Sequence, residues 1–254
     1  MSNVGFPCLL LSSLNRPELT LGLVAHTFLA GALAVALFAV LGAVVLRLAR
    51  QDVRRLLPSL MLPNTGNLGI PIAFFTFGKD GLIFAVAFST LIQICHVTIG
   101  VWLASGEMTP RALLRNPMIY ALVSALLLIG FEVKIPGAVQ ETLKLLGNIA
   151  VPLMLLMLGA SLSRLRFASL PRSVLLSAVR VGGGFAIGLA LASMLGMDHV
   201  AAGTFAIQCA MPVAVLSHMI AEKYNGPREE IAGMVLVSTM LALVALPGII
   251  SVTR

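Results

Sequence analysis

Uncharged polar side chains lie in the middle of an apolar stretch, residues 56–77, that has the length of a membrane helix. They are Asn64, Thr65 and Asn67, whose amide and hydroxyl groups can donate and accept hydrogen bonds. The same segment holds residues that interrupt a helix or favour turns: Pro63, Gly66, Gly69 and Pro71. The pattern predicts a helix that is broken at its centre, with hydrogen-bonding groups gathered at the break.

A second break is predicted after Gln208, where Met211 and Pro212 interrupt another apolar segment. In hydrocarbon an unpaired backbone group costs several kcal/mol, so a break persists only where it is buried in protein or lines a polar cavity. The amide end of a broken helix suits a carboxylate, and its carbonyl end suits a cation. Such breaks at mid-membrane are typical of transporter binding sites, whereas a locally stabilised kink with no ligand is the alternative.

Arg180 is a lone cation inside a predicted membrane segment, residues 171–196. If this helix begins near Pro171, a rise of ~1.5 Å per residue places Arg180 roughly 13 Å deep, close to the middle of the bilayer. A charge at that depth is costly and usually functional, and no Asp or Glu falls inside any predicted segment to pair with it. Two interpretations stay open: Arg180 attracts an organic anion, or its long side chain snorkels to the interface.

The sequence offers little support for enzymatic chemistry. Cys8, Cys95 and Cys209 all lie in apolar segments, without the spacing of a zinc site or a disulfide framework. The membrane segments show no nucleophile with a base, paired carboxylates or metal cluster, so neither an enzyme nor a cofactor is expected. His96 could relay protons or could be a hydrogen-bonded packing residue.

Composition indicates a membrane protein. Of 254 residues, 59% are hydrophobic and 11% are charged, and the mean hydropathy is +1.02, whereas soluble domains carry about 25% charged residues. The net charge of +7 fits cations in cytoplasmic loops, and no aromatic-rich basic patch supports binding to nucleic acid. The predicted apolar segments are residues 3–15, 18–46, 56–77, 80–104, 113–131, 137–162, 171–196, 199–221 and 230–252.

The distribution of cations predicts the orientation. Eleven of the 17 Lys and Arg residues fall in loops after the even-numbered segments, four fall on the opposite side, and Lys144 and Arg180 lie inside segments. By the positive-inside rule the first set faces the cytoplasm. The carboxyl terminus is therefore expected outside the cytoplasm.

The order of features repeats in the two halves of the chain. Pro7 and Pro152 lie in similar apolar runs, and each run is followed by a broken segment. The first repeat, residues 1–104, shows four helices and the second, residues 113–254, shows five, so one helix is expected to be missing before Met1. An odd number of helices per repeat inverts the two halves in the membrane, an arrangement common in secondary transporters.

The two breaks also carry a family resemblance. At Asn64-Thr65-Gly66-Asn67-Leu68-Gly69-Ile70-Pro71 and at Ala210-Met211-Pro212-Val213-Ala214, the chain resembles the auxin efflux carrier family, which includes plant auxin exporters and bacterial malonate or malate permeases. Gln93-Ile94-Cys95 is similar to a polar position of the same family. The resemblance implies an all-α polytopic membrane fold of two inverted five-helix repeats with broken crossover helices. It divides the chain into a scaffold part, residues 1–15 and 113–162, and a transport part, residues 17–104 and 170–252.

The function implied by the resemblance is secondary transport of a small organic anion by alternating access, in the bacterial inner (plasma) membrane. The anion would be a dicarboxylate such as malonate or malate, or an auxin-like carboxylate. Expected substrate contacts are Asn64, Thr65, Asn67, Gln208, Arg180 and Gln93, and expected hinge residues are Gly66, Gly69, Pro71, Met211 and Pro212. Coupling to Na⁺ or H⁺ stays open, as do an uncoupled channel or uniporter of the same fold and a truncated regulatory fragment. Expected partners are the anion, membrane lipid and a second copy bound through the scaffold helices, with no nucleic acid.

Overall fold

Helices form the architecture of the part of the chain that the computed structural model describes, residues 5–14, 21–107, 117–131, 133, 135–165 and 170–254. In chain order they are α1 (Gly5–Leu14), α2 (Leu21–Leu48), α3 (Val53–Met61), α4 (Ile70–Cys95), α5 (Val101–Ser105), α6 (Pro117–Gly130), α7 (Gly137–Leu162), α8 (Leu170–Ala178), α9 (Gly184–Met194), α10 (His199–Cys209), α11 (Val215–Lys223) and α12 (Arg228–Thr253). Three π-helical turns adjoin them: π1 (Thr65–Gly69), π2 (His96–Gly100) and π3 (Val179–Gly183). The predicted all-α polytopic membrane fold is confirmed.

Among the described residues, five helical runs are long and apolar enough to cross a membrane: Gly22–Leu48, Thr65–Ser105, Gly137–Leu162, Arg172–Met194 and Arg228–Thr253. Their outer faces expose large apolar side chains such as Leu29, Phe75 and Val244. The second run bends at Gly78, whose backbone has φ +64° and ψ −143°. Because this conformation is open to glycine and strained for other residues, Gly78 marks the boundary between two segments that the sequence predicted near residues 77–80.

Two helices stop after about half the thickness of a membrane. Helix α3 has 9 residues and α10 has 11, which at ~1.5 Å per residue gives roughly 14 and 17 Å, against ~30 Å of hydrocarbon. Each begins with an aspartate N-cap: Asp52 accepts from the amide of Arg55 at 3.1 Å, and Asp198 accepts from the amide of Ala201 at 3.0 Å. Each ends at a break, at residues 62–64 and 210–214, so both predicted breaks are present.

Helix α10 occupies the centre of the molecule. Every residue from Gly203 to Cys209 is buried, and α10 packs against α4, α9 and α12. Apolar clusters surround it on both sides and include Leu60 and Met61 at the end of α3. The two breaks therefore meet inside the protein, where backbone groups must find partners within the protein.

A second group of helices lies against one side of this centre. Helix α1 packs on α6 and α7, and a methyl group on Gly147 of α7 would lie 3.1 Å from Cα of Leu9, which shows a close approach. A buried apolar cluster that includes Leu10, Ala73 and Ala150 joins these helices to α4. These three helices fall within the part of the chain that the family resemblance assigns to the scaffold.

Candidate functional site

The two breaks pair with each other. Pro63 and Val213 form an antiparallel bridge, and the amide of Asn64 donates to the carbonyl of Pro212 at 2.7 Å. The amide of Val213 donates to Oγ of Ser238 on α12 at 3.0 Å. The two segments therefore run in opposite directions where they meet. We call this meeting point, residues 62–64 and 210–214, the crossover.

Arg180 lies inside the protein beside the crossover. Its side chain is 2% exposed, so it does not snorkel to a surface. Three backbone carbonyls accept its N–H groups: Nη1 donates to Leu60 at 2.8 Å, Nε donates to Met211 at 3.2 Å, and Nη2 donates to Cys209. The guanidinium carbon lies 4.3 Å from the centre of the Phe38 ring, close enough for a cation–π contact.

Two of the three carbonyls that bind Arg180 belong to the carboxyl ends of the half-length helices, and the third, of Met211, lies two residues beyond the end of α10. Helix α3 ends one residue after Leu60, and α10 ends at Cys209. A helix carboxyl terminus carries roughly half a negative charge because its last carbonyls lack partners. Arg180 thus satisfies and neutralises the two negative ends that the breaks create.

The two amide ends at the crossover have no such cap. Asn64 precedes π1 and Ala214 precedes α11, and neither makes a side-chain capping hydrogen bond. The first amides of a helix have no intrahelical partner, and in π1 and α11 these first amides include those of Gly66, Asn67, Val215 and Leu216. Free amides at a helix amino terminus, with its positive dipole end, form a ready anion site.

Two predicted site residues carry buried polar atoms without partners. Gln208 is fully buried, and neither atom of its side-chain amide has a hydrogen-bond partner among the described residues; Nδ2 of Asn64 is in the same situation. A methyl group on Gly69 would collide with Oε1 of Gln208, so π1 and α10 touch at this position. Because leaving a buried polar group unpaired costs about 1–3 kcal/mol, a water, an ion or a ligand that pairs with these atoms would stabilise the protein.

The other predicted site residues are distributed along the same elements. Thr65 is buried at the start of π1, and Asn67 is half-buried in the same turn. Pro71 lies in the first turn of α4, beyond the break, and Pro63 is the proline that lies at the break itself. Gln93 is half-buried on α4, and its side chain makes no hydrogen bond to the described crossover residues.

The second break is supported by His96, which the sequence singled out, and by two serines that it did not. His96 is buried in π2, and its Nδ1 lies 3.0 Å from the carbonyl of Ile92. Since a carbonyl only accepts, Nδ1 carries the hydrogen, and Nε2 accepts from Oγ of Ser217 on α11 at 3.4 Å. His96 therefore ties α11 to π2. Ser217 and Ser238 are single serines in apolar segments, and nothing in their spacing marks them.

A cavity of about 360 Å³ lies between the start of α2 and the turn that joins α9 to α10. Its lining is mostly apolar, with His26 and Asp198 among its polar residues, and no predicted site residue lines it. Over the described ranges, no group of three or more His, Cys, Asp or Glu residues could hold a metal ion. The crossover remains the place where uncapped amides and unpartnered amide side chains occur together.

Comparison with known proteins assigns the family. The model of a family described as membrane transport protein matches residues 101–250, more than half of the chain, including Arg180 and the second break. The chain belongs to this family. This membership confirms the resemblance to auxin efflux carriers and indicates transport rather than catalysis as the activity of this membrane transport protein.

Two relatives of this membrane transport protein match more of the chain than residues 101–250. An uncharacterized transporter from Methanocaldococcus jannaschii is 25% identical over 221 residues, which cover 81% of this chain and 70% of the relative. An uncharacterized transporter from Methanothermobacter thermautotrophicus is 26% identical over 189 residues, covering 72% of this chain and 63% of the relative. The chain thus spans less than two thirds of the second relative's length.

Proposed function

We propose that this membrane transport protein is a secondary carrier of small organic anions, and that the anion binds at the crossover. The observation that supports this most is the unequal capping of the broken helices. Arg180 caps both carboxyl ends, while both amino ends stay uncapped. Because Arg180 neutralises the two negative ends, the positive dipole ends of π1 and α11 remain at the crossover and favour an anion.

The chemistry of the neighbouring side chains favours a carboxylate. The free amides at the start of π1 and α11 donate hydrogen bonds, and so can Nδ2 of Asn64 and Nε2 of Gln208. Carboxylate oxygens accept several hydrogen bonds each, which matches a site built from donors. The proposed substrates are dicarboxylates such as malonate and malate, or an aromatic carboxylate such as indole-3-acetate.

Alternating access would follow from the opposite directions of the two breaks. Helices α3 and α10 enter the crossover from opposite sides if each long helical run crosses the membrane, so each side of the membrane would have one half-length helix leading to the site. The carrier would lie in a bacterial plasma membrane with its cation-rich loops in the cytoplasm and its carboxyl terminus outside.

Ligand-dependent thermal stabilisation of the purified protein tests the proposal. Malonate, malate, other small carboxylates and indole-3-acetate are compared, each with sodium chloride and with choline chloride. A ligand that binds only the folded state stabilises it by about 2.7 kcal/mol at a hundredfold excess over Kd. We expect at least one carboxylate to raise the unfolding midpoint, and a rise only in sodium would identify a coupling ion.

The variant Asn67→Ala localises the site. It removes a half-buried amide in π1, and we expect it to abolish the carboxylate-dependent shift while the unfolding midpoint without ligand stays near that of the wild type. Asn148→Ala, an exposed asparagine on α7, is the matched control and should keep the full shift. Absence of a shift with every carboxylate, or full binding by Asn67→Ala, would contradict an anion site at the crossover.

A further inference from the structure

The carboxyl ends of α3 and α10 form a position with the chemistry of a cation site. Carbonyls of Leu60, Cys209 and Met211 converge on one point inside the protein. In broken-helix transporters, carbonyls freed at the end of a half-helix commonly coordinate a cation. Here that point holds the guanidinium of Arg180, and the carbonyls serve as its hydrogen-bond acceptors.

No acidic side chain in the described ranges balances this charge. The ion pairs in those ranges are Arg55 with Asp52 and Lys144 with Glu141, and Arg180 takes part in neither. A buried cation without a carboxylate is stable only if dipoles compensate it. Two helix carboxyl ends, each equivalent to roughly half a negative charge, together offset about one positive charge.

The surroundings of Arg180 are shaped to hold the guanidinium. A methyl group on Gly184 would lie 2.7 Å from Nη2 of Arg180 and would also collide with the carbonyl of Cys209. The absence of a side chain at Gly184 therefore leaves the room in which the guanidinium reaches α10. Phe38 covers the opposite side with its ring, which excludes lipid and water from the site.

We propose that Arg180 is a tethered cation that fills the position which the carbonyl ends of the two broken helices would otherwise offer to a free cation, and that it holds these ends together. Arg180 is then a positioning residue for the crossover, and this carrier needs no sodium ion at that point. The consequence for coupling rests on the proposed transport function, whereas the capping itself is independent of any substrate.

Chemical rescue tests the proposal without a carboxylate. The full chain is purified as wild type, Arg180→Ala, Arg180→Lys, Arg180→Met and the control Arg172→Ala, which removes an exposed arginine from α8 of the same helical run. Unfolding midpoints are measured in low-millimolar guanidinium chloride, sodium chloride or choline chloride. We expect Arg180→Ala to lose stability and to regain part of it with a saturable dependence on guanidinium. The wild type and Arg172→Ala should not respond.

The conservative variants provide a second criterion. Arg180→Lys keeps the charge and Arg180→Met keeps only the apolar bulk, so Arg180→Lys should unfold at the higher temperature. If Arg180→Ala does not fold, this order alone decides. Equal midpoints for Arg180→Lys and Arg180→Met, or no guanidinium response in a folded Arg180→Ala, would overturn the proposal.

Sodium provides a third criterion. A sodium-specific rise in the wild-type midpoint that Arg180→Ala loses would show a free cation bound beside Arg180 and would also overturn the proposal. Because no carboxylate is present, failure of this inference is distinguishable from failure of the anion site.

Discussion

Gln208 should affect the stability of the ligand-free protein and the binding of a ligand in different ways. Its side-chain amide is fully buried on α10, and neither of its atoms has a hydrogen-bond partner among the described residues. Such an amide destabilises the empty protein and becomes favourable only when a ligand pairs with it. Stability and binding should therefore respond to this residue in opposite directions.

We predict that Gln208→Leu raises the free energy of unfolding of the ligand-free protein by about 1 kcal/mol, because an apolar side chain of similar size replaces an unpaired amide. The same variant should lose the carboxylate-dependent stabilisation. Unfolding midpoints with and without malonate measure both effects. Gln140→Leu, a glutamine on α7, is the control. A large loss of stability in Gln208→Leu would instead show that this amide is already paired in the empty protein.

At the scale of residues, the sequence was informative about polar groups and uninformative about their partners. Arg180, Asn64 and Gln208 could be selected because a polar side chain inside an apolar segment is rare and costly. The carbonyls of Leu60 and Cys209 could not be selected, because every residue has a carbonyl and only the tertiary crossing decides which ones lie near Arg180. Whether the guanidinium of Arg180 is exposed or buried also depends on this tertiary crossing, which the sequence pattern does not show.

At the scale of elements, the packing of α9 against α10 depends on two glycines. A methyl group on Gly184 would meet Arg180, and one on Gly188 would lie 2.7 Å from Cβ of Cys209. We predict that Gly184→Ala lowers the free energy of unfolding by about 1–3 kcal/mol, because overpacking displaces α9 or the guanidinium. Thermal unfolding of the purified variant measures the change.

Gly182→Ala is the matched control from the same glycine run. A methyl group there would meet nothing within 4 Å, so the variant should be neutral or should gain about 0.5–1 kcal/mol from the higher helix propensity of alanine. Similar losses in Gly182→Ala and Gly184→Ala would mean that the backbone of the glycine run matters more than the contact with α10.

The existence of both breaks was predictable, and so was the position of the second at residues 210–214, whereas the first lies at the amino-terminal edge of its predicted segment. Pro71 was expected to shape the first break, yet the structure places it in the first turn of α4. Proline is tolerated there because a backbone N–H in the first turn has no intrahelical acceptor. Pro63 lies at the break and pairs with Val213 of the other segment. Periodicity and composition locate a break to within a few residues, whereas the pairing of two distant segments fixes its centre.

At the scale of the whole molecule, the proposed transport part meets the proposed scaffold through a buried cluster that mixes alanines with larger side chains such as Leu10 and Met154. The buried cluster at this interface includes Ala73 and Ala85 of α4 with Ala121 of α6 and Ala150 of α7. Where alanines meet, helices pack closely and present few ridges, so a shift of one part against the other would need the smallest changes in packing at these positions. If the crossover moves against the scaffold during transport, this face is where the movement must occur.

A larger side chain at this interface should slow transport more than it weakens binding. Ala150 is fully buried, and we expect Ala150→Leu to cost about 1–3 kcal/mol of stability from overpacking while the crossover keeps its geometry. Exchange of radiolabelled malonate in proteoliposomes should fall, whereas malonate-dependent stabilisation of the same variant in detergent should persist. Ala160→Leu, at an exposed position of the same helix, should leave both unchanged. Normal exchange by a folded Ala150→Leu would show that this interface does not move, and loss of both exchange and binding would place the alanine face within the binding site itself.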